Sequence, residues 1–186
     1  MLNSLKDQVT QDTIIVDDTS EEFRIAKQTN EGFLKKLINP YREDELDFSS
    51  FTIKNIPSKW TDFDSRYFYG INDGSVHCKK SGKGDTRVSW DANLTTSGDY
   101  DVYYYVPQMH QLQIPAIREI YAVNDFHFFI NNENGTEETV FNFKDAKEGW
   151  NYLGTYRFAS DKAHIELTDK SKGNLVYADA VKFVKK

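Results

Sequence analysis

Four histidines, His77, His110, His127 and His164, and one cysteine, Cys78, are the residues of this chain with the widest chemical repertoire. Their spacing does not assemble a site. The histidines are scattered, with no HExxH or related pairing that would set two imidazoles on one metal. His77 and Cys78 are adjacent, and neighbours along a strand project to opposite faces, which disfavours a Cys–His dyad. Glycoside hydrolysis needs two carboxylates flanking the bond, and elimination needs a base with a charge neutraliser. With 29 Asp and Glu residues such pairs can always be drawn, so their presence decides nothing. Gly82-Lys83-Gly84 lacks the GxxxxGK[ST] frame of a phosphate loop, and no helix is expected after it. The run Arg42-Glu43-Asp44-Glu45 reads as a solvated loop rather than a cation site. A structural calcium on Asp17, Asp18, Asp73 or Asp85 stays open, without ligand spacing to support it. The expectation is no catalytic residue, no cofactor and no other metal.

The aromatic content favours sheet over helix and does not by itself name an activity. The chain holds 13 Phe, 11 Tyr and 3 Trp in 186 residues, and exposed rings can stack on the C–H faces of sugars. Trp60, Tyr67, Tyr69, Tyr103, Tyr105 and Trp150 are the candidates, with core packing as the competing role for each. Tyr103 and Tyr105 stand out, because Tyr100, Val102, Tyr104 and Val106 already supply one apolar face of their strand. If that second face packs against something as well, the choice fails.

The elements that would position these rings are strands. A period of two recurs at 13–16, 51–54, 86–90, 100–106, 117–130, 138–144, 153–158, 163–168 and 175–184, separated by turn signals such as Asn72-Asp73-Gly74. About ten short strands mean a β-sandwich or barrel, not an α/β fold. The stretch from 21 to 38 differs, and a helix is expected over 31–38, ended by Asn39-Pro40. Tyr177, Asp179, Val181 and Phe183 share a parity, so Asp179 falls on an otherwise apolar face. Its expected role is structural: a carboxylate accepting hydrogen bonds from a neighbouring loop, or a bulge in the strand. A net charge of −6 argues against a nucleic-acid partner. A single cysteine excludes an internal disulfide, and no 18-residue apolar run suits membrane insertion. The opening MLNSLKDQVTQDT lacks the apolar core of a signal peptide, so a secreted origin would make this a processed or excised piece.

The stretch GWNYLGTYRF, the following AHIELTD and the closing VYADAVKF resemble the C-terminal domain shared by golvesin and bacterial xanthan lyases. The residues carrying the likeness are Trp150, Leu153, Gly154, Tyr156, Phe158 and the run Ala178-Asp179-Ala180-Val181-Lys182-Phe183. Val88-Ser89-Trp90 and 98–103 also resemble that family, and IIVDD at 14–18 and Tyr69-Gly70, before Thr86, do so more weakly. The resemblance implies an all-β, jelly-roll-like β-sandwich of carbohydrate-binding-like shape. Residues 1–12 become a flexible N-terminus and 13–186 a single domain, with a partly helical insertion at about 21–59 where relatives have a short loop. It further implies a non-catalytic accessory domain of a larger secreted or cell-envelope bacterial protein. The partner would be polysaccharide, through Tyr103, Tyr105, Trp60, Tyr69 and Trp150, or other domains of the parent. A structural spacer without a glycan ligand is the alternative.

Overall fold

The computed structural model describes residues 13–26, 56–65, 68–70, 74–107 and 123–186. The N-terminal residues 1–12, the expected helix at 31–38, the alternation at 51–54 and residues 117–122 of an expected strand lie outside them. Twelve strands are described: β1 (Thr13–Val16), β2 (Phe23–Ile25), β3 (Thr61–Ser65), β4 (Gly74–Lys80), β5 (Arg87–Asn93), β6 (Gly98–Val106), β7 (Asp125–Asn132), β8 (Gly135–Asn142), β9 (Gly149–Phe158), β10 (Lys162–Thr168), β11 (Leu175–Ala178) and β12 (Val181–Lys185). They form three antiparallel sheets, ordered β1-β12-β6-β9, β2-β5-β10-β7-β8 and β11-β4-β3. Among the described residues there is no α-helix, only a 3-10 turn at Phe143–Asp145. This is an all-β architecture consistent with a β-sandwich.

The core follows from the period of two. Tyr100, Val102 and Tyr104 of β6 are fully buried, as are Val88 and Trp90 of β5, Phe126, Phe128 and Ile130 of β7, and Ile165 and Leu167 of β10. Tyr104 spans the space between sheets, its ring 5.1 Å from Phe128 and 6.1 Å from Phe126. The four-stranded and five-stranded sheets thus face one another across an aromatic core. Such ring pairs add about 0.5–1.5 kcal/mol each beyond the area they bury.

Three features depart from the sequence expectation. Phe23–Ile25, inside the stretch assigned to an insertion, is a strand that pairs with β5 and sets Phe23 opposite Trp90. Strands β3 and β4 lie where the sequence gives no clear period of two, and β4 buries polar residues. Its Ser75 hydroxyl donates to Asp18 at 2.6 Å, and its Lys79 ammonium donates to Asp169 at 2.7 Å. Finally, 175–184 is not one strand. The chain leaves the three-stranded sheet after Ala178 and enters the four-stranded sheet at Val181, with Asp179 and Ala180 fully buried at the crossing. Asp179 therefore sits at a corner between sheets, which removes the conflict of a carboxylate on an apolar strand face.

Candidate functional site

On the outer face of the four-stranded sheet, β6 presents Tyr103 and Tyr105 while Tyr100, Val102 and Tyr104 point inward. Tyr105 lies opposite Trp150 and Tyr103 opposite Tyr152 in the β6–β9 ladder. Tyr69 arrives from the 68–70 segment and completes a ring cluster. The Tyr69–Tyr105, Tyr69–Trp150 and Tyr105–Trp150 centroids are each 5.2 Å apart, all edge-on. Tyr103 and Tyr152 continue the strip at 5.5 Å, and Tyr152 is 54% exposed. Lys182 of β12, opposite Tyr103, sets its ammonium 4.5 Å from the Trp150 ring centroid and 5.1 Å from that of Tyr103. Burial raises the Tyr103 phenol, with Asp101 and Tyr152 adding to the effect.

A single extra residue creates this strip. Trp150, Tyr152, Gly154, Tyr156 and Phe158 share one parity, and Tyr156 and Phe158 are buried. On a straight strand Trp150 and Tyr152 would be buried with them. The ladder instead pairs Val102 with Gly154 and Tyr103 with Tyr152, so Leu153 is a bulged residue. Such an insertion reverses facing for everything beyond it. Leu153 packs against the core, and Trp150 and Tyr152 turn outward. Gly154 is required beside the bulge, because a Cβ there would lie 2.6 Å from the Tyr156 hydroxyl oxygen.

Tyr69 is held from beneath. Its backbone N–H donates to both carboxylate oxygens of Asp179 at 3.3 Å. Gly74 lets the segment come close, since a Cβ at that position would lie 2.2 Å from the Tyr69 carbonyl oxygen. Behind Asp179 stand two further carboxylates. Burial pushes Asp179 well above the usual carboxylate range, and Asp17 and Asp18 push it further against the Tyr69 hydrogen bond. Asp17 is raised to about 6, first by burial and then by Asp18, while the Thr19 hydroxyl opposes the shift. Asp18 accepts from Ser75 and lies 2.7 Å from His77 Nδ1.

A family model, the Golvesin C-terminal domain, matches residues 46–185. The chain belongs to this family. Every residue of the aromatic strip falls inside the matched region, whereas β1 and β2 precede it. A xanthan lyase of Bacillus sp. (strain GL1) is 30% identical over 120 residues, which is 62% of this chain and 12% of that protein. A solved Paenibacillus xanthan lyase shares the fold, with a TM-score of 0.61 and 22% identity over 94% of this chain and 13% of that one. The chain thus spans only about an eighth of the xanthan lyases it matches.

In this Golvesin C-terminal domain, four of the six rings singled out in the sequence, Tyr69, Tyr103, Tyr105 and Trp150, are brought together. The fifth, Trp60, packs against the core with its indole N–H buried and unpaired. Tyr67 lies outside the described residues. Tyr152 and Lys182 belong to the strip and escaped the sequence reading. The one signal for Tyr152 was the Leu-Gly pair that marks the bulge, and Lys182 could be placed only through the β6–β12 register.

The chemically versatile residues stay apart. Cys78 is buried, and burial pushes its thiol up to about 12, away from thiolate chemistry. His127 lies 2.6 Å from Glu138 and His164 2.6 Å from Asp91, while His110 is outside the described residues. Among the described residues, no group of three or more His, Cys, Asp and Glu is placed to hold a metal ion. Asp85 is exposed, and Asp73 is outside them. The Gly82–Gly84 turn is pinned to Asp169, which accepts from the Gly84 N–H at 2.7 Å.

Proposed function

We propose that this domain is a non-catalytic, jelly-roll-like carbohydrate-binding accessory module of a larger secreted or cell-envelope bacterial protein. Its polysaccharide face is the strip of Tyr69, Tyr103, Tyr105 and Trp150, with Tyr152 as the most accessible ring. The observation carrying this reading is the convergence of these rings on the outer face of one sheet, around Lys182. A sugar ring gains by covering aromatic faces with its C–H groups while its hydroxyls reach the phenols and the ammonium. Edge-on contacts hold the rings in place before a ligand arrives, which lowers the entropy lost on binding. Affinity gel electrophoresis against acidic and neutral polysaccharides tests the reading. Retardation by at least one polymer is expected, and a folded Tyr103→Ala/Tyr105→Ala variant should lose it. A folded wild-type chain that no polymer retards refutes the reading.

A second reading, a spacer whose strip packs on another domain of the parent, draws on one observation. The chain covers only 12–13% of its xanthan lyase relatives, so neighbouring domains are at hand to cover the rings.

A further inference from the structure

The opposite side of the molecule holds an open cleft of about 680 Å³ on the outer face of the five-stranded sheet. It lies where the end of β5, the start of β10 and the end of β7 meet, with the segment leading into β2 as its rim. Its volume is within the range of small-molecule sites, but its lining is polar where such sites are mostly apolar. The polar residues lining it include Arg24, Asp91, Asn93, Asn131, Lys162 and His164.

These groups are ordered by one another. Asp91 lies 2.6 Å from His164 Nδ1 and 3.5 Å from Arg24 Nε, and Lys162 donates to Asn93. The Thr136 hydroxyl donates to Asn131 at 2.6 Å. Beyond the cleft, His164 Nε2 is 3.4 Å from Glu166, which accepts from Arg87 at 2.6 Å. Arg24, Asp91 and His164 thus form one linked group that runs on to Glu166 and Arg87, beside the separate pairs Lys162–Asn93 and Thr136–Asn131. Isolated exposed ion pairs contribute little to stability, so folding alone gives small reason for the arrangement.

We propose that this cleft is a second saccharide site, taking a neutral, hydroxyl-rich pyranose unit. A hydroxyl both donates and accepts, and the cleft interleaves acceptors (Asp91, Asn93, Asn131) with donors (Arg24, Lys162), while His164 orients Asp91. An anion would meet Asp91 and the rim carboxylates of Glu21 and Glu22, and an apolar ligand would find too few apolar side chains to bury against. Asp91 keeps lone pairs beyond those used by His164 and Arg24, and can accept from two vicinal hydroxyls. The site lies on the other sheet from the aromatic strip and does not depend on it. A chain with both could bridge two glycan strands, one on each side.

NMR titration of the full chain with glucose, mannose, galactose and their methyl glycosides tests this. One or more sugars should shift the amide signals of 91–93 and 162–164 at millimolar concentration. Asp91→Ala and His164→Ala should each weaken that response about tenfold or more, and Trp150→Ala should leave it unchanged. No shift at these amides with any of the sugars overturns the proposal. So does a response that survives both cleft variants. Failure of the strip to retard polysaccharide, with the cleft response intact, would refute the reading of the strip and leave the cleft standing.

Discussion

Asp169 and Asp179 are ten residues apart and do the same mechanical task in opposite electrostatic settings. Each is a buried carboxylate that accepts a backbone N–H from a loop and so fixes it: Gly84 for Asp169, Tyr69 for Asp179. Asp169 faces a cation. The Lys79 ammonium and the Thr86 hydroxyl each donate to it. Burial alone would raise its proton affinity, but these partners hold it below the usual range. Asp179 faces Asp17 and Asp18, and its proton affinity rises. The first arrangement secures a turn through a carboxylate whose charge is paired. The second is costly to the fold as pH rises, yet the loop it secures carries a ring of the candidate glycan face. The contrast separates a carboxylate placed for stability from one placed for a site.

Removing the cation at Asp169 gives the largest expected effect. Lys79→Met keeps the side-chain stem but strands a carboxylate buried to 4% side-chain exposure. Breaking a buried pair this way costs about 3–5 kcal/mol, on the order of 10 °C in Tm for a chain of this size. Thermal unfolding at pH 7 measures it. A fall below about 2 °C would mean that Asp169 does not need Lys79.

At Asp179 the sign should reverse. Asp179→Asn retains an acceptor for the Tyr69 N–H and removes the ionisable group. A carboxyl raised in the folded state loses its proton first on unfolding. Its contribution therefore falls as pH climbs from the unfolded value of 3.8 toward the folded one. Asp17 behaves alike between 3.8 and about 6. The groups facing this pocket are Asp17, Asp18, the His77 ring on Asp18, and the phenols of Tyr104 and Tyr177. Asp179→Asn should thus raise Tm at pH 8 by a few degrees, with no gain at pH 4, as measured by calorimetry across that range. Asp169 works in the other direction, since its depressed proton affinity gives stability above 3.8 that is lost on acidification. Equal gains at both pH values would sink the distinction.

Much of this was open to a reading of the chain alone. Strands β5, β6 and β10 carry a clear alternation, because one face packs in the core and the other does not, and so Tyr103 and Tyr105 could be assigned to the second face of β6. Asp179 broke the parity of its surroundings and drew notice for that reason. What stayed hidden depends on partners distant in sequence. Strand β4 shows no plain period of two because Ser75, His77 and Lys79 are polar, and it is Asp18 and Asp169 that partner them. Parity counting assigns Tyr152 to the core with Tyr156, and the bulge at Leu153 reverses it. Trp60, an apparent candidate by type, joins the core instead.

The finest cut concerns Tyr69 itself, whose backbone is bound by Asp179 and whose ring meets Tyr105 and Trp150. Tyr69→Ala removes the ring and leaves the N–H that Asp179 grips. Two edge-on contacts at a half-buried position are worth about 1–2 kcal/mol together, so Tm should fall by only a few degrees. The effect on polysaccharide retardation should be far larger in proportion, because the lost ring is one wall of the strip and the freed Tyr105 and Trp150 rings gain rotamer freedom that a ligand must then remove. A variant that unfolds many degrees lower while binding as before would make Tyr69 a packing residue. It would also return Asp179 to the same class as Asp169.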